Sequence, residues 1–341
     1  MIVQWDDRYK MGTIELWNTV AVKDGYKEMT EESFDRIIAG NPHFDPACTF
    51  IWMEEGAVTG FACGCTGDEL PLGERAGYIT AIILKEDAGT VRDIRFGLLL
   101  DALESRFREL GKTQSDVLFF NPMQLPWYIP GTDRHEHNNA PGVPAGSALH
   151  HFLLGRGYAE RAVQCAMYLP LGDFKVPESV VEKERVGAEQ GYTVGLLGSA
   201  EPAVVRKSAG AEEQAELELD ALLEALDNPL WKREVSAAAE AGVPVVIAAF
   251  RGKSVGFAGP VIRQLSGRGY FAGIGVHPAH EGHGLGSSLF FRLCEAFQSI
   301  GTDYMSLYTG SENPAKRIYE KAGFRTVKTF ATMRRELSSH E

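Results

Sequence analysis

The sequence predicts an α/β chain made of two tandem copies of one fold. Length is the first reason: 341 residues exceed a typical single domain and suit two of about 170 each. The second is an internal repeat, in which the first half reads as a diverged copy of the second. The third is the order of elements within each copy: an apolar strand, a turn, an amphipathic helix and a further apolar strand.

Taken in order, Gly77-Tyr78 opens an apolar run over 79–84, as Gly269-Tyr270 opens its counterpart up to Val276. Arg92-Asp93-Ile94-Arg95-Phe96-Gly97 aligns with Glu281-Gly282-His283-Gly284-Leu285-Gly286, and an amphipathic helix follows in both. Val117-Leu118-Phe119-Phe120 answers Met305-Ser306-Leu307-Tyr308. Gly157-Tyr158 matches Gly323-Phe324, and Met167 and Met333 lie equally far beyond. The expected boundary is near Leu171-Gly172-Asp173, giving domains 1–172 and 173–341. A charged helix is expected over 177–189 and an acidic-faced one over 212–226. Apolar runs at 244–250 and 254–261, around Arg251-Gly252-Lys253, predict a hairpin.

A formal charge of −12 argues against a nucleic-acid groove or an anionic membrane as the main partner, and it suits a cationic or amine substrate. No apolar run reaches the roughly 18 residues of a membrane span. No basic segment followed by an apolar one stands at the N-terminus, so a cytoplasmic protein is expected. The cysteines are Cys48, Cys63, Cys65, Cys165 and Cys294, sparse and set in apolar segments, which suits reduced, buried thiols.

Residues 272–337 concentrate the candidate chemistry. Glycines at 282, 284 and 286 permit positive φ, so consecutive backbone N–H groups can turn toward one anion in front of a helix N-terminus. Ser287 and Ser288 offer hydroxyls in the first helical turn. A dinucleotide fingerprint fails because Leu289 stands where its third glycine belongs, and a P-loop fails for want of Gly-Lys-Ser/Thr. The preceding strand carries Gly273 and Gly275, which leave room for a ligand backbone to approach. Farther on, Asn313-Pro314 reads as a helix start and Gly323 as a left-handed helix end, with Tyr319 between them.

This succession, over about seventy residues, resembles the acyl-CoA-binding core of the GNAT N-acetyltransferase superfamily. The resemblance implies, for each copy, a twisted mixed sheet flanked by helices, and acetyl-CoA as cosubstrate. It further implies that Ile274, Gly275 and Val276 pair with the pantetheine arm and that His277, Glu281, Gly282, His283, Gly284, Leu285, Gly286 and Ser287 surround the pyrophosphate. Asn313 would contact the pantetheine arm, and Tyr319 would protonate the leaving thiolate. The acceptor would be a small-molecule or peptide amine attacking the thioester directly, with the backbone N–H of Val276 polarising the carbonyl. A monomer and a homodimer both remain open.

Departures from the family pattern sharpen this. Glu281 occupies a place where the family usually has Arg or Gln, and is expected to face solvent. The strand 269–276 lacks the carboxylate many relatives use as base, leaving a water chain or His277. In the first copy Asp93 and Arg95 replace two turn glycines, Ser147 stands for Asn313 and Leu153 for Tyr319. The first domain is therefore expected to be structural or substrate-shaping and the second active. The alternative is a non-catalytic acyl-CoA-binding regulator of the same fold. The long loop 121–147, with Trp127, Tyr128, Asp133, His135 and His137, is expected to edge the acceptor pocket without holding a metal.

Overall fold

The computed structural model describes residues 1–85, 90–198 and 211–337, with the backbone alone at 90 and 211–217. Strand β1 (Ile2–Gln4) leads to helices α1 (Lys10–Val20) and α2 (Glu31–Phe34). Strands β2 (Thr49–Glu54), β3 (Ala57–Cys65) and β4 (Ala76–Leu84) precede α3 (Thr90–Glu109) and β5 (Gln114–Val117). The long loop carries three two-residue strands, β6 (Trp127–Tyr128), β7 (Glu136–His137) and β8 (Val143–Pro144), before α4 (Ala148–Gly155) and β9 (Ala159–Pro170). Helix α5 (Glu178–Glu189), β10 (Tyr192–Leu197), α6 (Ala211–Ala225) and α7 (Pro229–Glu240) follow. Then come β11 (Val245–Phe250), β12 (Lys253–Gly259), β13 (Ile262–Arg263), β14 (Arg268–Tyr270) and β15 (Gly273–Val276). Helix α8 (Leu285–Ser299), β16 (Tyr304–Gly310), α9 (Lys316–Lys321) and β17 (Arg325–Glu336) complete the order. No described helix is long and apolar enough to cross a membrane.

The chain forms two compact units. Unit 1 comprises Met1–Ala166, Tyr308–Ser311 and Thr326–Glu341, and unit 2 comprises Met167–Leu307 and Glu312–Arg325. Unit 1 is a mixed sheet in the order β1-β2-β3-β4-β5-β17. Its pairs are antiparallel except β4 with β5, which run parallel with Gly77 opposite Ser115. Helix α1 covers one face through Ile14, Leu16 and Trp17, packed with Phe61 and Tyr78. Helix α3 covers the other through Phe96, Leu99, Leu100, Leu103 and Phe107, whose three- and four-residue spacing makes one apolar stripe. Each such side chain contributes about 1.5–3 kcal/mol on burial. Gly77 has to be glycine, because a Cβ there would lie 2.2 Å from the Phe107 ring.

The closing strand of unit 1, β17, is held by charge as well as by its ladder. Asp116, 4% exposed, accepts from Arg334 Nη2 at 2.8 Å, and Glu104, 2% exposed, accepts from Arg335 Nη1 at 3.1 Å and from Tyr158 Oη at 2.9 Å. Buried carboxylates of this kind are stable only while each partner stays in place.

Unit 2 has a four-stranded antiparallel sheet, β10-β11-β12-β15. The expected hairpin is β11–β12, turned at Arg251 (φ 50°) and Gly252 (φ 86°), the positive pair that matches strand twist. Helices α5 and α8 pack on this sheet, and α6 and α7 pack on it through Leu219, Leu222, Leu223, Trp231 and Val235 against Phe257. Strand β14 pairs antiparallel with β13 and parallel with β16, with Gly269 opposite Met305. The expected single strand 269–276 is thus two, broken at Phe271-Ala272, because β14 follows β16 whereas β15 follows β12.

The repeat is visible bond by bond. Lys85 N donates to Thr59 O and His277 N to Val255 O, both at 2.8 Å. Tyr158 N donates to Leu153 O and Phe324 N to Tyr319 O, both at 3.0 Å, beside left-handed Gly157 and Gly323. Two alignments need correction. Gly77 faces Ser115 while Gly269 faces Met305, so Ser115, not Val117, stands in the place of Met305. Counting back from the helix ends at left-handed Gly111 and Gly301, Arg92, Ile94 and Phe96 stand for Gly282, Gly284 and Gly286. The segment 92–97 is not a turn at all but lies inside α3, since 92–96 hold no glycine and a helix tolerates the single Gly97.

Candidate functional site

The site begins where β15 ends. His277 caps a single 3-10 turn, Pro278–His280, by accepting from Ala279 N at Nδ1 (3.2 Å). Gly282 (φ 82°) and Gly284 (φ 75°) then turn the chain left-handed, and Gly284 is the N-cap of α8. A Cβ on either would meet nothing within 4 Å, so conformation, not space, calls for glycine there. Gly286 differs: its φ is helical, and a Cβ would touch Ile318 Cδ1 at an ordinary 3.5 Å.

Among the described residues, the backbone N–H groups of 282–286 have no protein acceptor; the next two, of Ser287 and Ser288, reach Gly284 O at 3.1 and 3.3 Å. Five consecutive open donors at the positive end of a fifteen-residue helix form a nest with the geometry to receive an anion. Leu285, buried, pins the turn from below. Tyr192, also buried, braces its flank: its hydroxyl meets His280 Nδ1 at 3.0 Å and its ring lies 4.8 Å from that of His283. Glu281 is exposed, as its solvent-facing expectation requires, Ser287 is half-buried, and Ser288 is buried.

Strand β15 presents an open edge. Because His277 and Val255 exchange a hydrogen bond, alternation along the antiparallel ladder turns Gly273 and Gly275 toward β12. Ile274 and Val276 point their N–H and C=O groups the other way, where no described strand pairs with them. Gly275 therefore cannot join Ile274 and Val276 in bonding along that edge. The room left by the two glycines is also already taken. A Cβ on Gly273 would lie 2.2 Å from Trp231 Nε1, and one on Gly275 would lie 2.8 Å from Leu226 Cδ1, so the strand is bare to seat the indole of α7 and not to admit a ligand.

The third part is α9. Asn313 is exposed; its Oδ1 accepts from Ala315 N at 2.9 Å, which leaves its amide N–H₂ group outward. Pro314 sits in the turn before the helix. Tyr319 is 5% exposed, packed between Phe290 (ring centroids 4.7 Å), Phe271 (6.2 Å) and Phe324 (6.3 Å). Burial alone pushes its phenol up to about 12, so it stays protonated at neutral pH.

Glu234 was not singled out by sequence. It comes from α7 and accepts from the hydroxyl of Tyr270, at the end of β14. Burial, and then this bond, push the Tyr270 phenol up to about 12. Nothing local in the sequence could pair two residues on different elements, although the spacing of Trp231 and Val235 does fix which face of α7 is buried. The loop 121–147 lies in unit 1, where His137 is buried and its ring is 4.2 Å from that of Tyr308. Among the described residues, no three His, Cys, Asp or Glu side chains converge as a metal site.

A sequence model of the acetyltransferase (GNAT) family matches residues 211–324, which hold the glycine turn, the open strand edge and Tyr319. None of the curated proteins compared matches the chain. Among solved structures, the tandem GNAT protein of the clavulanic acid biosynthesis pathway is similar over 100% of this chain and 99% of its own, at 13% identity and a TM-score of 0.56. A GCN5-related N-acetyltransferase from Sphaerobacter thermophilus covers 100% and 96%, at 14% identity and 0.57. A glucosamine N-acetyltransferase region in a fungal multi-domain β-N-acetylglucosaminidase aligns with 98% of this chain, at 14% identity and 0.63, but this chain spans only 38% of that protein. At such identities the structures speak for the fold, and the family match speaks for the second half. Residues 211–324 match the GNAT acetyltransferase family, and the chain as a whole carries two tandem GNAT folds.

Proposed function

We propose that the second GNAT fold transfers an acetyl group from acetyl-CoA to a primary amine by direct attack, and that the first does no chemistry. The observation that carries this is the run of five open N–H groups at 282–286. Such a nest takes a diphosphate without any cationic side chain, which removes the difficulty of Glu281. The outward groups of Ile274 and Val276 suit the amides of the pantetheine arm, with Asn313 as a further donor. The N–H of Val276 would polarise the thioester carbonyl.

Tyr319 would stabilise the departing sulfur. A free thiol has a pKa of about 8.5, so a phenol near 12 gives up its proton to that thiolate only uphill. Its first contribution is a hydrogen bond to the developing charge. Glu234, beside Tyr270, is a carboxylate suited to receive the amine proton, a task that His277 is less free to perform because its Nδ1 caps the turn. The acceptor is a small-molecule or peptide amine. With all five cysteines free and buried, the chain suits a reducing compartment such as the cytoplasm.

Calorimetric titration of coenzyme A, followed by an acetyl-transfer assay over a panel of amines, tests this reading. Binding with transfer supports it. Binding without transfer to any amine makes the protein an acyl-CoA-binding regulator, and absence of binding removes the cofactor site altogether.

A further inference from the structure

Unit 1 contains a cleft of about 220 Å³ that the transfer reaction does not use. It exceeds the ~150 Å³ that accommodates a benzene ring. It lies where β4 and β5 part: their pairing ends at Tyr78 opposite Asp116, while β4 continues to Leu84. Trp17 lines it from the α1 face, Phe96 from the α3 face, and Ile79, Val117, Val143 and Leu149 supply the remaining apolar wall.

Several polar groups meet this wall. Lys85 N donates to Thr59 O, so ladder alternation turns the N–H and C=O of Ile82 away from β3, toward the gap. Asn121 closes part of the same edge by donating Nδ2 to Thr80 O at 2.5 Å, and the edge at Ile82 stays open among the described residues. Arg92, half-buried, supplies a cation; its only carboxylate neighbour in the described residues is exposed Asp93, at 3.4 Å. Ser147 lines the cleft as the cap of α4, and its hydroxyl accepts from His150 N, while the N–H groups of Ala148 and Leu149 have no acceptor among the described residues. Lys23 and Asp24 stand at the rim on the α1 side, where burial raises the Asp24 carboxyl and the charge of Lys328 opposes that rise.

We infer that this cleft binds a small N-acyl amino acid: an apolar acyl chain on the Phe96–Leu149 wall, one secondary amide paired with Ile82, and a carboxylate on Arg92. Apolar length, a single amide and a single negative charge are the three features the wall, the strand edge and the guanidinium each read. A diphosphate is not among them. Ile94 and Phe96 occupy the places of the nest glycines, and Arg95 is committed to Glu54 and the Trp52 ring.

The test is calorimetry on the full chain with three probes: N-hexanoylglycine, its neutral glycinamide, and the ester in which oxygen replaces the amide N–H. N-hexanoylglycine should bind once per chain, and each analogue about tenfold more weakly. Arg92→Gln should weaken the acid by about tenfold and leave the glycinamide unchanged. Leu149→Trp, which fills the cleft, should abolish binding of the acid while leaving coenzyme A affinity as it was. Equal binding of all three probes would reduce the site to a greasy hole. Competition by coenzyme A, unchanged binding in Leu149→Trp, or no binding in a folded chain would overturn the inference outright. None of these results depends on whether unit 2 transfers acetyl groups.

Discussion

The strand–turn–helix segments of the two units share their geometry up to one residue and then part. Ile82 in β4 and Ile274 in β15 both turn their backbone outward, and Lys85 and His277 make the same hydrogen bond. Beyond that point unit 1 starts a twenty-residue helix at Thr90, whereas unit 2 spends two left-handed glycines before a fifteen-residue helix at Leu285. Unit 1 shows that the core closes without the glycine turn. Each glycine costs on the order of 0.5–1 kcal/mol of conformational freedom, a cost unit 1 avoids, and what Gly282 and Gly284 add in unit 2 is a run of backbone donors with no acceptor among the described residues.

The largest effect that would sharpen this contrast is on stability and should stay within unit 1. Glu104→Ala removes the buried carboxylate that receives hydrogen bonds from Arg335 and Tyr158 and should cost about 1.5–3 kcal/mol, read as lost hydrogen-exchange protection in β5 and β17. Coenzyme A affinity should hold; if it collapses as well, the two units are not separate in function. Next is the same substitution made in both copies. Gly284→Arg should weaken coenzyme A binding by at least about 10²-fold through backbone strain and steric block. Ile94→Arg, at a residue 58% exposed, should change it by less than about twofold. Equal effects would place the cofactor wrongly.

Tyr319→Phe should lower kcat by about 10²-fold, the low end for a positioned donor, with coenzyme A affinity unaltered, while Leu153→Tyr should not awaken unit 1. A mutant with wild-type kcat, chemistry being rate-limiting, would make Tyr319 a packing residue. Gly273→Ala should cost about 1–3 kcal/mol by overpacking against Trp231, against at most about 1 kcal/mol for Ala81→Gly at the matching position; equal melting shifts would remove the indole as the reason for that glycine. The smallest effect is in the pH profile. Since the phenol is raised to about 12, its neutral, donating form persists, and kcat should show no tyrosine limb between about pH 7 and 10.

Much of this was legible in the sequence. The repeat, the hairpin at Arg251-Gly252, α5, the glycine turn and the left-handed stop at Gly323 are each written in local residues, since turns and helix ends depend on backbone chemistry a few positions long. What was hidden depends on partners distant in sequence. Gly273 and Gly275 look like ligand clearance until Trp231 is seen against them. Glu234 becomes a candidate base only when α7 meets Tyr270. The alignment of 92–97 failed because residue similarity cannot reveal where a helix begins once its stop signals have gone.

Strand β17 has a consequence for how the protein is made. It belongs to unit 1 and pairs with β5, yet it lies more than two hundred residues downstream, after all of unit 2. A ribosome moving at ~5–20 residues per second leaves β5 without this neighbour for ten seconds or more. During that time Asp116 and Glu104 await their arginines. The nascent first fold is therefore an open sheet that must be shielded until translation has passed residue 336, and a message truncated within unit 2 would leave unit 1 unfinished as well.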